Sequence, residues 1–178
     1  VLGHGTHVAG IIGAQGDNGI GVSGVNWDVQ IMAIKAGDAV GLTDAGILAS
    51  VTYATMMRED YGINVVASNN SYGGYIPNPL IEQAIQDHVD AGILFVASAG
   101  NDDLNTDVLE HFPSGYDVDG IVSVAATGPF DFRASSSNFG PTTVDLGAPG
   151  GDGGGGTNED ILSTWPPSLD PFFAYYGI

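Results

Sequence analysis

Apolar positions along the chain follow two periods, and segments of the two kinds alternate. From about Thr6, Val8, Ala9, Ile11 and Ile12 recur as on a helix until the Gly- and Asn-rich stretch 13–24 breaks the pattern. Val29-Gln30-Ile31-Met32-Ala33-Ile34 is short and largely apolar, which predicts a buried strand. Thr43-Asp44 offers a capping oxygen and a first-turn acid. Behind it Ile47, Leu48, Val51 and Ala54 share one face, so a helix is predicted from here to about 58–62. Residues 64–71 read as a second strand running into Tyr72-Gly73-Gly74-Tyr75. Asn78-Pro79 opens the clearest helix, with Leu80, Ile81, Ala84, Ile85 and Val89 on one side and Gly92 as its stop. Ile93-Leu94-Phe95-Val96-Ala97 is a continuous apolar run of strand length, and further short strands are predicted at 121–126, 144–146 and 161–164. Helix alternating with strand predicts an α/β fold: one domain, no internal repeat, a mostly parallel sheet covered by helices.

Composition narrows what such a fold can meet. The 178 residues hold 3 Lys and Arg against 21 Asp and Glu, a net charge of −18. Nucleic acids and anionic membranes both require clustered cations, so neither is an expected partner. No apolar run approaches the roughly 18 residues of a membrane-spanning helix. Yet charged residues are only 13% and hydrophobic ones 43%, enough to build a core rather than an acidic disordered tail. Cysteine is absent, so disulfides and thiolate chemistry are excluded. The chain opens on Val1-Leu2-Gly3, without a Met or a leader pattern, and closes on the aromatic run 172–178. It therefore reads as an interior stretch of a longer protein. Residues 150–156 are almost all glycine, either a flexible surface loop or a weak cation loop.

Open parallel sheets bind ligands beyond the carboxyl ends of their strands, so small polar residues at those ends are the candidates for chemistry. Three places qualify. His4, within Gly3-His4-Gly5-Thr6-His7-Val8-Ala9-Gly10, stands at the mouth of a helix and titrates near neutrality, as a general base should. A structural histidine between glycines is the plainer alternative; a zinc site on His4 and His7 lacks a third ligand at suitable spacing. Asn69-Asn70-Ser71-Tyr72-Gly73-Gly74 is an extended stretch whose backbone could pair with a peptide, or an ordinary strand-to-loop transition. Ala97-Ser98-Ala99-Gly100-Asn101-Asp102 carries a side-chain amide out of a buried strand, where it could donate to an oxyanion.

Taken together and in this order, these segments resemble the subtilisin-like serine proteases, the subtilases. His4-Gly5-Thr6-His7-Val8-Ala9-Gly10 is similar to the box around the family's catalytic His, with His4 at the catalytic position and His7 at a structural one. Asn70-Ser71-Tyr72-Gly73-Gly74 resembles the segment that pairs with substrate. Ala99-Gly100-Asn101 resembles the oxyanion-hole box. Ser137-Asn138-Phe139-Gly140 and Leu146-Gly147-Ala148-Pro149-Gly150 resemble two later landmarks, and residues 161–164 the strand after them. The resemblance implies a subtilisin-like three-layer α/β/α fold, incomplete at both ends, with residues 1–178 forming part of the catalytic domain. It implies catalytic roles for His4 and Asn101, and substrate contacts at Ser71, Tyr72, Gly73, Gly74, Ser98, Ala99, Gly100 and Asp102. As an acid at the pocket rim, Asp102 would tolerate a basic or polar side chain there.

Gln15-Gly16-Asp17-Asn18-Gly19-Ile20-Gly21-Val22 resembles a calcium loop with Asn18 as its side-chain ligand, so Ca²⁺ is the implied cofactor, against the plainer reading of an Asn-Gly turn. The resemblance further implies peptide or protein substrates, a monomer and an extracellular location. The family's Asp box and its Gly-Thr-Ser-Met-Ala nucleophile box are both missing from the 178 residues. The expectation is therefore an endopeptidase whose triad is completed outside this stretch, the stretch alone being inactive. The competing expectation is a catalytically inactive domain that only binds peptides.

Overall fold

A computed structural model describes residues 3–38, 40–152 and 160–166. Among these described residues three helices and four strands are formed in the order α1 (His4–Gly13), α2 (Asp44–Glu59), β1 (Ala67–Asn70), α3 (Pro79–Asp90), β2 (Leu94–Ser98), β3 (Ile121–Thr127) and β4 (Leu146–Pro149). The strands make one sheet in sequential order, β1-β2-β3-β4, and each neighbouring pair is parallel. The expected α/β arrangement is thus what the chain adopts, with α3 as the crossover between β1 and β2.

Local chemistry explains the two longer helices. The Thr43 hydroxyl accepts from the Gly46 amide at 3.1 Å, Asp44 lies in the first turn of α2 and Arg58 in its last. Asn78 caps α3 by accepting from the Leu80 amide at 3.0 Å, with Pro79 pre-set at the first helical position. Gly92 then takes φ +80° and returns its amide to the Val89 carbonyl, a left-handed stop that a side chain would strain.

The core lies between these helices and one face of the sheet: Val51, Ile81, Ala84, Ile85, Phe95, Ala97, Tyr116 and Val118 form one buried cluster. Phe95 and Ile85 are fully enclosed, each contributing roughly 1.5–3 kcal/mol by burial. His88 ties three elements together there. Its Nδ1 lies 2.9 Å from the Thr55 hydroxyl of α2, and its Nε2 lies 3.0 Å from the Ser68 hydroxyl of β1.

Two predicted strands are not formed. Residues 29–34 form no regular element and are unpaired among the described residues, and Val29, Ile31, Met32 and Ile34 are exposed. A strand exists only through hydrogen bonds to a neighbour, and none lies alongside among the described residues. Residues 161–164 instead dock on α1 through side chains: the Ser163 hydroxyl donates to the His7 carbonyl at 2.6 Å and the Thr164 hydroxyl to the Thr6 carbonyl at 2.8 Å. The strand expected at 144–146 lies two residues later, as β4. The aromatic run 172–178 and most of the glycine stretch 150–156 lie outside the described residues.

Candidate functional site

The site begins at the carboxyl ends of β1 and β2. Their parallel register sets Asn70 beside Ala97, so the segments that follow, 71–74 and 98–102, leave the sheet side by side. Asn70 is buried and secures this edge. Its Nδ2 donates to the Ser68 hydroxyl at 3.0 Å and to the Val96 carbonyl at 3.3 Å, while its Oδ1 accepts from the Tyr72 hydroxyl at 3.0 Å. Burial pushes the Tyr72 phenol well above its ordinary range, so it stays a neutral donor.

Ser71 and Gly73 are exposed and Gly74 is half-buried. Gly74 exchanges two backbone hydrogen bonds with Phe112, each 2.8 Å, which joins 71–74 to the 105–118 loop. On the other wall Ser98 is half-buried, Ala99 and Gly100 are buried, and Asn101 and Asp102 are exposed. Gly100 adopts φ +104°, a turn region that favours glycine and that swings the chain out of the sheet toward solvent. The Asn101 amide makes no hydrogen bond among the described residues and faces solvent as an available donor.

Asn138 holds this wall in place. It is fully buried; its Oδ1 accepts from the amides of Asp102 and Leu104, each at 3.0 Å, and its Nδ2 donates to the Ala99 carbonyl at 2.9 Å. Its own backbone amide donates to the Gly100 carbonyl at 2.8 Å. The two walls are also joined directly, because the Tyr75 hydroxyl donates to Asp102 Oδ2 at 2.5 Å. That bond raises the Tyr75 phenol above its ordinary pKa.

His111 lies at the same junction. It is 5% exposed, its Nδ1 sits 3.1 Å from the Ser114 hydroxyl, and its ring meets Tyr75 edge-on with centroids 5.4 Å apart. Burial lowers its pKa, which the charge of Asp102 partly offsets. Sequence reasoning missed His111 altogether. It named Asn138 only as part of a landmark, since nothing local marks a residue whose role is set by where two distant loops meet.

His4 is the first residue of α1, following Gly3 at φ +89°. Burial, and then the neighbouring His7, hold its imidazole below the ordinary value of 6.5, so at neutral pH it is uncharged and able to accept a proton. His7 is buried, with Nε2 3.2 Å from the Ile161 carbonyl. Gly10 explains how 161–166 comes so close: a Cβ there would overlap the Ser163 and Thr164 hydroxyls and stand 2.9 Å from the Thr164 amide. No hydrogen bond among the described residues links His4 to 71–74 or 98–102, so the structure joins those two segments to each other but not to His4.

Asn18 is exposed, and its Oδ1 accepts from the Ile20 amide at 2.9 Å, closing an Asx turn. No group of three or more His, Asp or Glu able to hold a metal occurs among the described residues. Among the described residues Asn18 thus offers one amide oxygen, engaged in a turn, toward the six to eight oxygens that a calcium ion takes. Two hollows of about 470 and 480 Å³ lie elsewhere, one between α2 and α3 and one beside β3 and β4; neither is lined by a candidate residue.

Comparison with known proteins gives concordant results. A family profile described as the subtilase family matches residues 1–176. Among curated proteins, a thermophilic serine proteinase of Bacillus sp. strain AK1 is 35% identical over 149 residues, 84% of this chain and 34% of its own length. A minor extracellular protease of Bacillus subtilis is 36% identical over 149 residues, 83% of this chain and 21% of its own. The chain thus spans about a third of the first and about a fifth of the second. Among solved structures, a protease of Pseudoalteromonas arctica superposes with a TM-score of 0.80 at 31% identity, covering 91% of this chain and 48% of that one.

Proposed function

The chain belongs to the subtilase family, and from that premise we propose that it is the part of a serine endopeptidase's catalytic domain that carries the general base, one oxyanion donor and the two substrate walls. One observation carries the reading: 71–74 and 98–102 emerge together from adjacent strands, and the Asn101 amide beside them is unengaged. Substrate would add as a strand along Ser71, Tyr72 and Gly73, with Gly74 at the far end. Its P1 side chain would enter between that segment and Ser98, Ala99 and Gly100, with Asp102 at the rim. His4, neutral at pH 7, would take the proton of an attacking serine and return it to the leaving amine. Asn101 would donate to the oxyanion.

The serine and the acid that orients His4 would be supplied by chain outside these 178 residues. The relative described as extracellular supports an extracellular protease acting on proteins or peptides. In the intact protein, Asn101→Ala is expected to lower kcat by about 10²–10³ with little change in KM, a magnitude established on a subtilisin. His4→Ala should abolish measurable turnover, and the 178 residues alone should cleave nothing. Turnover by the His4 variant at the parent rate would overturn the assignment.

A further inference from the structure

The gap between the two walls is occupied. A Cβ built on Gly73 would stand 2.6 Å from His111 Nε2, and one built on Gly100 would stand 2.9 Å from the same atom and 3.0 Å from Cδ2. The two glycines therefore close on one imidazole edge from two sides, and both tolerate it only because they lack side chains. The ring is not a loose flap. Ser114 holds its Nδ1, Tyr75 packs against it edge-on, and the Gly74–Phe112 backbone pair fixes the next residue. Its Nε2 makes no hydrogen bond among the described residues, so the edge in the gap is polar as well as rigid.

We infer that His111 is a specificity-determining residue: its ring fills the deep part of the P1 pocket between Gly73 and Gly100 and restricts the protease to small P1 side chains, Gly, Ala or Ser. A Phe ring would need the volume that the imidazole already holds. A Lys stem would find no apolar slot below the rim, and Asp102, which could reward its charge, already accepts from Tyr75. This inference rests on the proposed peptidase reading, since it uses the same two walls.

The test compares peptides that differ only at P1 (Ala, Phe or Lys) on the intact protein and on its His111→Gly and His111→Ala variants, with circular dichroism to check folding. Parent kcat/KM should favour Ala over Phe and Lys by at least about tenfold. His111→Gly should raise the Phe value by at least about tenfold while changing the Ala value far less, and His111→Ala should fall between. A parent that prefers Phe or Lys overturns the inference without any variant, as does a folded glycine variant with an unchanged profile. If the intact protein cleaves nothing, the peptidase reading fails and the pocket is read by fluorescence anisotropy with the same labelled peptides. Tighter binding of the Ala peptide, relieved in His111→Gly, would still support the plugged pocket; equal binding of all three would refute it.

Discussion

Asn138 is an uncharged side chain with no solvent contact, and every polar atom it has is engaged on the 99–104 turn. Replacing it by Leu keeps the volume and removes four partners at once, the amides of Asp102 and Leu104, the Ala99 carbonyl and the Tyr75 hydroxyl. A loss of about 1–3 kcal/mol in urea unfolding is expected, with faster amide exchange at 102 and 104. His88 makes a different demand. Its burial drops its pKa from 6.5 to about 4, so in the folded state it stays neutral while in the unfolded chain it takes up a proton. The unfolded state then binds more protons between those two values, and stability falls as pH falls through that window, by on the order of 3 kcal/mol from this residue. His4 and His111 are shifted in the same direction and add to the slope. Urea midpoints from pH 7.5 to 4 should show it, and His88→Gln should flatten much of it.

At the scale of elements, what the chain announces is what it settles locally. The starts of α2 and α3 were legible because Thr43 and Asn78 sit within two or three residues of the amides they cap, and the helix faces repeat over several turns. Residues 29–34 and 161–164 have as strong a strand pattern as β2, but a strand also needs a partner, and no feature of the segment itself reports one. The site divides the same way. Residues 71–74 and 98–102 could be anticipated as strand ends of an α/β sheet, whereas His111 enters only through the path of the 105–118 loop. The packing of 161–166 against the start of the chain turns on two glycines, Gly3 under the Trp165 ring and Gly10 under Ser163 and Thr164. Gly10→Ala would push a methyl into Ser163 and Thr164, so it should detach that segment and expose Trp165, whose ring now meets His7 edge-on. A red shift in Trp165 fluorescence, read against a Trp27→Phe background, would report it.

Over the whole molecule, the excess of 21 acids over 3 bases changes the value of each cation. Arg133 pairs with Asp103 at 2.7 Å, stacks 4.6 Å above Phe139 and donates to the Ser137 carbonyl, tying the 99–104 turn to the 133–139 loop. Arg58 donates to the carbonyls of Ala91 and Val65, closing the ends of two helices onto the entry to β1. Two of the three cations are thus committed to internal joints, which leaves the acidic exterior almost without compensating charge. The sequential order of the sheet bears on time rather than on energy. Each strand pairs with one laid down about two dozen residues earlier, so every pairing closes a short loop and the sheet can grow in the direction of synthesis. The bonds from 161–164 to α1 span 154 to 158 residues and must wait for nearly the whole chain. In pulse-labelled exchange during refolding, β1 to β3 should become protected first and the α1 amides last. A nascent chain released before residue 161 would then hold a formed sheet with His4 and the rest of α1 still unanchored.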